Sequence, residues 1–356
     1  MLMSSQTALV VGATGFIGKF LVAQLLRDRA KVFALCRNIN EQEPQLRRWL
    51  TQQNINDQEL SFIQGDITLP NLGLSPEDWK TLKEVNYLYN ASALFKWHLS
   101  MQQAKAVNVD GLTNLLHSVN KHCHLERAVH LSGFMLTLDQ HLKAAGIFRE
   151  NIEKTDWPKI YEALGAYEAS KIEGHFNWIK QADLLNIPWT VIHPATVIGD
   201  EITGEIPASQ PITALIQQLQ QRKMSALPGT PQHSLPLVSV TMLVNAMVHA
   251  SEDPETVKQE ILVANPQQIS LQTLVQIVAQ SLEINPPRHF ISISFLTWLL
   301  KWQWLAKKLD MSPEMLNFIR TEQLDLGTFN RLNQQWKIPP TELKETMQKT
   351  VEWVTR

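Results

Sequence analysis

A tyrosine and a lysine four residues apart carry the clearest chemical signal in the sequence. Tyr167 and Lys171 lie in the segment YEASK, inside a stretch with a helical pattern. That spacing places both side chains on one face of a helix. A free tyrosine, with a pKa of about 10, is a weak base at neutral pH, but a neighbouring ammonium favours the phenolate. The pair is therefore predicted to exchange a proton with a carbonyl or alcohol oxygen.

A glycine-rich loop near the N-terminus predicts a second kind of site. The segment VVGATGFIG follows an apolar run and opens a helical pattern. Its glycines permit a tight turn, a close backbone approach to a pyrophosphate and close packing of helix on strand. The helix N-terminus offers free N–H groups and a positive dipole end to phosphates. Because the loop begins a βαβ pattern, it predicts a dinucleotide site at Gly12, Thr14, Gly15, Phe16, Ile17 and Gly18.

The end of the second predicted strand indicates which dinucleotide binds. NAD-selective sites usually carry an acidic residue there, which binds the ribose 2′-hydroxyl. This chain has Cys36 and Arg37 instead. A guanidinium suits a 2′-phosphate, although an ordinary surface arginine would give the same sequence. NADP(H) is therefore the predicted cofactor.

The elements that must position these residues follow an alternating pattern. Short apolar runs alternate with helical stretches in the N-terminal half, which predicts an α/β fold on a doubly wound parallel sheet of the Rossmann type. After Gly199, prolines interrupt the pattern and later segments are mostly helical. We predict a Rossmann domain over 1–195, completed by part of 229–250, and a smaller, mostly helical substrate-binding region over 196–356. The predicted strands are Ala8 to Gly12, Lys31 to Cys36, Ser61 to Gln64, Tyr87 to Asn90, Arg127 to Leu131 and Trp189 to His193.

Composition limits the function classes. Hydrophobic residues make up 44% of the chain, charged residues 19%, and the net charge is -2, which fits a globular protein with no field that favours nucleic acid. Two cysteines and the lack of a basic, apolar leader lead us to expect a reducing compartment, the cytoplasm. No His or Cys spacing resembles a zinc site, so no metal is predicted. We expect a monomer or a homodimer.

No apolar run reaches the roughly 18 residues of a membrane span. The nearest is the aromatic segment 295–305, which contains Trp298, Trp302 and Trp304. It is interpreted as a core helix, or as the rim of an acyl pocket, or as a contact for a partner or a membrane surface.

Several short motifs follow one another along residues 12–200 and carry a family resemblance. They are GATGFIG at 12–18, GDI at 65–67, NASA at 90–93, NVDG at 108–111, LSG at 131–133, YEASK at 167–171, HPA at 193–195 and VIGD at 197–200. With them, residues 7–250 resemble an extended short-chain dehydrogenase/reductase, especially the branch near thioester reductases and fatty acyl-CoA reductases. The resemblance implies that Asp66 and Ile67 lie beside the adenine and that Lys171 also holds the nicotinamide ribose. It also implies cofactor contacts from Ala91, Ser92, Ala93, Pro194 and Val197.

Asn108 has a sequence argument of its own. It shares a helical periodicity with apolar residues at 104, 112, 115 and 119, so it falls on an apolar face. A buried amide needs partners. The resemblance implies that this asparagine supports the helix and a water relay near the lysine. The alternative is a satisfied packing asparagine.

The family pattern is broken at the end of the fifth strand. Family members usually carry Ser-Ser or Ser-Thr there, and the second hydroxyl contacts the substrate oxygen. This chain has Ser132 followed by Gly133. Three interpretations remain open: Ser132 serves after a one-residue shift, another donor such as Thr137 substitutes, or catalysis is impaired.

The leading hypothesis is an NADP(H)-dependent oxidoreductase acting on a carbonyl, hydroxyl or acyl-thioester group of a small, apolar substrate. Tyr167 is the acid/base, Lys171 its electrostatic partner, Asn108 a support and Ser132 the oxygen-polarising group. The rival hypothesis is a non-catalytic NADP(H)-binding sensor or assembly protein, which the break at Gly133 favours. An epimerase or dehydratase is a third option.

Replacing Arg37 tests the cofactor prediction. We expect NADPH to bind more tightly than NADH, and Arg37→Ala to narrow that difference because the 2′-phosphate loses its guanidinium. Fluorescence titration of both nucleotides measures the two affinities. Equal affinities for NADPH and NADH in the unmodified chain would contradict the prediction.

Overall fold

A computed structural model describes residues 6–92, 100–300, 302, 316 and 318–356. The strands are β1 (Thr7–Val11), β2 (Lys31–Cys36), β3 (Leu60–Gln64), β4 (Tyr87–Asn90), β5 (Arg127–Leu131), β6 (Trp189–Pro194), β7 (Thr196–Ile198), β8 (Ala226–Pro228), β9 (Leu237–Ser239), β10 (Gln259–Val263) and β11 (His289–Ile291). The helices are α1 (Phe16–Arg27), α2 (Ile39–Gln52), α3 (Pro76–Leu82), α4 (Met101–Lys105), α5 (Gly111–His122), α6 (Asp139–Ala144), α7 (Trp157–Leu164), α8 (Ala166–Leu184), α9 (Pro211–Gln220), α10 (Val240–Glu252), α11 (Leu271–Ser281), α12 (Ile293–Leu300), α13 (Gly327–Trp336) and α14 (Leu343–Thr355).

The chain divides into two compact units. The first contains residues 1–193 and 244–261, and the second contains residues 194–243 and 262–356. In the second unit, β7 pairs with β9 and β8 pairs with β11, both in parallel. Helices α9, α11 and α14 pack together in the same unit. Among the described residues, no helix is both long enough and apolar enough to span a bilayer.

A seven-stranded sheet runs through the first unit in the order β10-β6-β5-β4-β1-β2-β3. Each neighbouring pair from β6 to β3 is parallel. Backbone bonds from Lys258 N to Trp189 O and from Ala195 N to Val263 O show that β10 runs parallel to β6. All residues of β1 are buried, as expected when helices cover both faces of a sheet. The predicted α/β doubly wound fold is confirmed.

The order of the strands reverses at β1: β2 and β3 follow on one side of it, whereas β4, β5, β6 and β10 lie on the other. In open α/β sheets, ligands bind outside the carboxyl ends of the strands at such a switch point. The glycine loop follows β1 directly. The fold therefore places this loop where a dinucleotide site is expected.

A buried arginine at the start of β5 binds the segment 244–261, which belongs to the first unit. Arg127 is 4% exposed. Its guanidinium donates to the hydroxyls of Thr190 and Thr256 and to the carbonyls of Ala250 and Asp253. These bonds join β5 and β6 to the segment that leads into β10. These bonds join residues that are far apart in sequence, and local sequence patterns do not reveal such contacts. The sequence analysis therefore did not predict β10.

A glycine in α8 allows a close approach to an irregular helical turn. The residues between α4 and α5, Ala106–Asp110, form a π-helical turn. A Cβ at Gly174 would lie 1.9 Å from the carbonyl oxygen of Asn108, far inside van der Waals contact. The first turns of α8 can therefore approach Asn108 only because residue 174 has no side chain.

Substituting Gly174 tests this packing. Gly174→Ala is expected to lower the free energy of unfolding by about 1–3 kcal/mol, because a methyl group must displace backbone. Urea denaturation measures the change. Gly133→Ala is the matched control, since no described atom lies within 4 Å of a Cβ there. Equal effects of the two substitutions would contradict the prediction.

Candidate active site

The glycine loop has the geometry of a phosphate cradle. Gly12 has a φ of +80°, and a Cβ there would lie 2.8 Å from Ala91 C and Ser92 N. A Cβ at Gly18 would lie 1.9 Å from Gly12 O, so α1 packs directly on the turn. Side chains at these two positions would push the loop off the end of β4 and the helix off the loop.

The N-terminus of α1 is open to an anion. Gly15 is the N-cap residue and, among the described residues, no side chain caps this end. The first turn also lacks an acidic residue. Thr14 lies beside it, and its hydroxyl accepts a 2.7 Å hydrogen bond from Gln42 Nε2. Phe16 and Ile17 are partly buried where the helix begins. Free N–H groups and the positive helix dipole therefore fit a pyrophosphate.

The residues expected near the adenine end lie after β2 and β3. Arg37 is exposed immediately after β2. Asp66 Oδ1 accepts from Thr68 N and Oγ1, both at 2.8 Å, which shapes the turn after β3. Ile67 is 6% exposed. Their roles toward a cofactor remain predictions.

The remaining predicted cofactor residues lie at strand ends. Ala91 and Ser92 follow β4, and Ser92 N and Oγ both donate to Asn90 Oδ1. Ala93 lies outside the described residues. Pro194 is the last residue of β6. Val197 lies in β7 and pairs with Val238 of β9.

One face of α8 docks on the end of β5. Lys171 Nζ donates to Leu131 O at 3.2 Å. One and two turns further along, His175 Nδ1 lies 3.4 Å from Ser132 Oγ and Trp178 stacks on His130 at 4.6 Å between ring centroids. Tyr167 precedes Lys171 by one turn on the same face. The contacts of Lys171, His175 and Trp178 thus hold α8 on the end of β5, and Tyr167 lies one turn before the first of them.

Burial shapes the charges along this row. It lowers the pKa of Lys171 to about 8, so most molecules still carry the ammonium at pH 7. Burial, followed by the nearby charge of Lys171, lowers the pKa of His130 well below its usual range. The neutral His130 accepts a 3.0 Å hydrogen bond at Nδ1 from Asn90 Nδ2. Lys171 is therefore the cation that this row brings closest to Tyr167 along the helix.

Asn108 supports the first turn of α8. It is 4% exposed, and its Nδ2 donates to Ser170 Oγ at 2.9 Å. Ser170 Oγ in turn donates to the carbonyl of Tyr167 at 2.9 Å. The buried amide therefore has partners, and it links the π-helical turn to the backbone of the proposed acid/base.

At the end of β5, Ser132 and the next residue, Gly133, have different surroundings. Ser132 is 7% exposed and its hydroxyl faces His175. A Cβ at Gly133 would instead enter open space, with no described atom within 4 Å. Thr137 Oγ1 donates to Phe134 O at 2.7 Å. A hydroxyl on residue 133 would therefore occupy a position that the hydroxyls of Ser132 and Thr137 do not occupy in this structure.

A polar cluster behind Gly133, with two buried histidines and two partly exposed charged residues, was not predicted from the sequence. His193 Nδ1 lies 2.8 Å from Gly133 O, and its Nε2 lies 2.9 Å from Glu260 Oε2. His175 Nε2 lies 3.2 Å from the same carboxylate oxygen, in poor hydrogen-bond geometry. Arg149 Nη1 lies 3.1 Å from Glu260 Oε1. His175 could have been found, because it follows Lys171 by four residues; Glu260 carries no signal of its own.

The carboxylate of this cluster is ionised. Burial acts to raise the pKa of Glu260, but the adjacent imidazoles of His175 and His193 outweigh it, and the pKa lies well below its usual range. Burial lowers the pKa of His175 to about 4. His175 is therefore neutral near pH 7, whereas Glu260 carries a negative charge.

Comparison with known proteins identifies the family. A family model described as male sterility protein matches residues 10–247. The chain belongs to this family. The predicted membership of the extended short-chain dehydrogenase/reductase superfamily is confirmed, since relatives and solved structures of that superfamily match as well.

Two curated relatives illustrate the family. The fatty acyl-CoA reductase wat of Drosophila melanogaster is 22% identical over 276 residues, which are 68% of this chain and 53% of that protein. Probable polyketide synthase 6 of Dictyostelium discoideum is 28% identical over 232 residues, 60% of this chain and 8% of that protein. This male sterility family member therefore matches about half the length of the first and under a tenth of the second.

Solved structures share the fold. The terminal R domain from the myxalamid PKS-NRPS biosynthetic pathway aligns with a TM-score of 0.77 at 19% identity, over 100% of this chain and 92% of that one. The yeast methylglyoxal/isovaleraldehyde reductase Gre2, complexed with NADPH, aligns with a TM-score of 0.69 at 18% identity, over 98% of each chain. At these identities the likeness establishes the fold alone.

Proposed function

We propose that this chain is an NADP(H)-dependent reductase of the carbonyl or acyl-thioester carbon of an apolar, small-molecule substrate. The observation that carries the proposal is the docking of the Tyr167 and Lys171 face of α8 on the end of β5. A protein that only binds nucleotide has less need of both a tyrosine and a lysine at this position. The chemistry belongs to the site rather than to the fold, which also hosts other reactions.

The glycine loop and the N-terminus of α1 would hold the pyrophosphate, and Arg37 would pair with a 2′-phosphate. Support for NADP(H) comes from this exposed guanidinium after β2 and from the NADPH of the similar Gre2 structure. Asp66 and Ile67 would lie beside the adenine, and Ala91, Ser92, Pro194 and Val197 would complete the contacts. A bound nicotinamide would supply the hydride.

The side chains of α8 would manage the proton. As the substrate carbon gains a hydride, its oxygen gains negative charge, and the hydroxyl of Tyr167 donates its proton to that oxygen. The ammonium of Lys171 stabilises the phenolate that remains. The hydrogen bonds from Asn108 to Ser170 and from Ser170 to Tyr167 hold the backbone of the tyrosine in place.

The substrate class rests on the relatives and on Gly133. A fatty acyl-CoA reductase and a terminal R domain are among the similar proteins, which favours an acyl thioester or the aldehyde derived from it. The open space at Gly133 leaves room beside the reacting carbon. The same glycine favours the rival function, a non-catalytic NADP(H)-binding protein, because the usual hydroxyl is missing there.

Tyr167→Phe distinguishes the two functions. In the reductase, it should lower turnover by about 10²–10⁴-fold, because the phenyl ring has no proton to donate, while NADPH affinity stays unchanged. NADPH oxidation is followed by absorbance against aldehydes, ketones and acyl thioesters, and affinity by fluorescence. Tight NADPH binding without turnover of any substrate by the unmodified chain would favour the rival.

Gly133→Ser restores the missing hydroxyl. The added side chain enters open space, so we expect a folded variant whose kcat for a small aldehyde rises on the order of tenfold or more, within the range of a single polarising hydrogen bond. Gly133→Ala controls for the added bulk. If serine and alanine lower kcat equally, position 133 does not face the reacting oxygen.

A further inference from the structure

His193 lies between two hydrogen-bond acceptors. Its Nδ1 faces the carbonyl oxygen of Gly133 at 2.8 Å, and its Nε2 faces Glu260 Oε2 at 2.9 Å. A carbonyl oxygen has no proton, so Nδ1 must donate. The second contact is a hydrogen bond only if a proton also lies between Nε2 and the carboxylate.

We propose that His193 is an imidazolium at neutral pH, and that this buried cation is a positioning residue that fixes the end of β5 and adds positive charge behind the reacting oxygen. Arg149 Nη1 lies 3.1 Å from Glu260 Oε1 and 3.5 Å from Oε2, and its positive charge keeps the carboxylate ionised. The proton therefore resides on the imidazole. A buried cation with a charged partner and two hydrogen bonds meets the conditions under which burial is tolerated.

The other charged and titratable groups around His193 come from several elements. Helix α8 contributes His175 and Lys171, β5 contributes His130, and β10 contributes Glu260. Arg149 is held by Asp139 Oδ1 at 3.2 Å and by the carbonyl of Leu136. With His175 and His130 neutral, Glu260 is the anion in direct contact with His193. This arrangement favours an imidazolium over a neutral ring.

Cations thereby hold the two carbonyls that flank Ser132. Lys171 donates to Leu131 O and His193 donates to Gly133 O. Because position 133 lacks a hydroxyl, negative charge on the substrate oxygen depends more on the field of nearby cations. Preorganised charge of this kind stabilises a transition state without reorganisation. This catalytic role rests on the proposed function, whereas the protonation of His193 does not.

The same side chains could be interpreted as a metal site. The donor atoms of His175, His193 and Glu260 lie within 4.8 Å of one another. Two observations favour the proton: the 2.9 Å contact of His193 with Glu260 is an ordinary charge-assisted hydrogen bond, and Arg149 on the same carboxylate opposes a divalent cation. Metal binding is therefore an outcome of the test.

Imidazole ¹⁵N NMR of the full chain tests the protonation directly, with His193→Asn to assign the signals. We expect both ring nitrogens of His193 to be protonated at neutral pH. Glu260→Gln preserves the shape and supplies an amide donor to Nε2, so His193 should become neutral with one protonated nitrogen. Asp183→Asn is the control, because Asp183 pairs with Lys258 and has no contact with His193, Glu260 or Arg149 among the described residues. A singly protonated His193 in the unmodified chain would overturn the proposal.

Kinetics and a zinc titration complete the test. Glu260→Gln should lower kcat by roughly tenfold, as expected for one lost electrostatic contribution, with KM unchanged, and Asp183→Asn should change neither. An unchanged kcat in Glu260→Gln overturns the catalytic role. Stoichiometric Zn²⁺ binding that Glu260→Gln abolishes overturns the protonation. If the chain reduces no substrate, the proposed function fails while the NMR result still decides the state of His193.

Discussion

The contact between α8 and the end of β5 is the interaction on which the proposed active site depends. Lys171 reaches a backbone carbonyl of the strand, and Trp178 stacks on His130 two turns later. The helix can lie there because Gly174 admits the backbone of Asn108 on its other side. On a free helix, Tyr167 would keep Lys171 one turn away but would have no fixed position relative to β5. The packing of α8 on β5 therefore also sets the position of the side chains proposed to carry out the reaction.

The glycine loop solves a different problem. It must bring backbone N–H groups to a pyrophosphate without a side chain in the way. Gly12 and Gly18 allow β4, the loop and α1 to meet at distances that a Cβ would forbid. The reversal of strand order beside β1 then keeps the adjacent space clear of crossover connections. The cradle is thus a property of both local backbone freedom and sheet topology.

Gly133 shows how a break in a family pattern gains meaning from structure. In sequence, it leaves open whether Ser132 takes over its role. In the structure, the two residues have different surroundings: Ser132 faces His175, whereas no described atom lies within 4 Å of a Cβ at position 133. Behind Gly133, the buried His193 and the partly exposed Glu260 and Arg149 form a charged cluster. Any polarisation of a substrate oxygen here would depend on charge more than on a neighbouring hydroxyl.

The sequence by itself determined the features that depend on neighbours along the chain. Six strands of the sheet could be predicted within one residue at each end, because apolar runs and turns are local signals. The glycine loop, the spacing of Tyr167 and Lys171, and the family resemblance are local in the same sense. The roles predicted for individual site residues are still predictions.

Only the tertiary structure decided what long-range contacts create. The seventh strand, β10, comes more than 60 residues after β6 in the sequence and still joins the same sheet. The buried Arg127 binds the segment that leads into it. Glu260 enters the cluster on this strand, 67 residues after His193. No period or spacing encodes that meeting, because it results from the sum of many packing contacts. The charge state of His193 follows from its two acceptors, and these come together only in the folded chain.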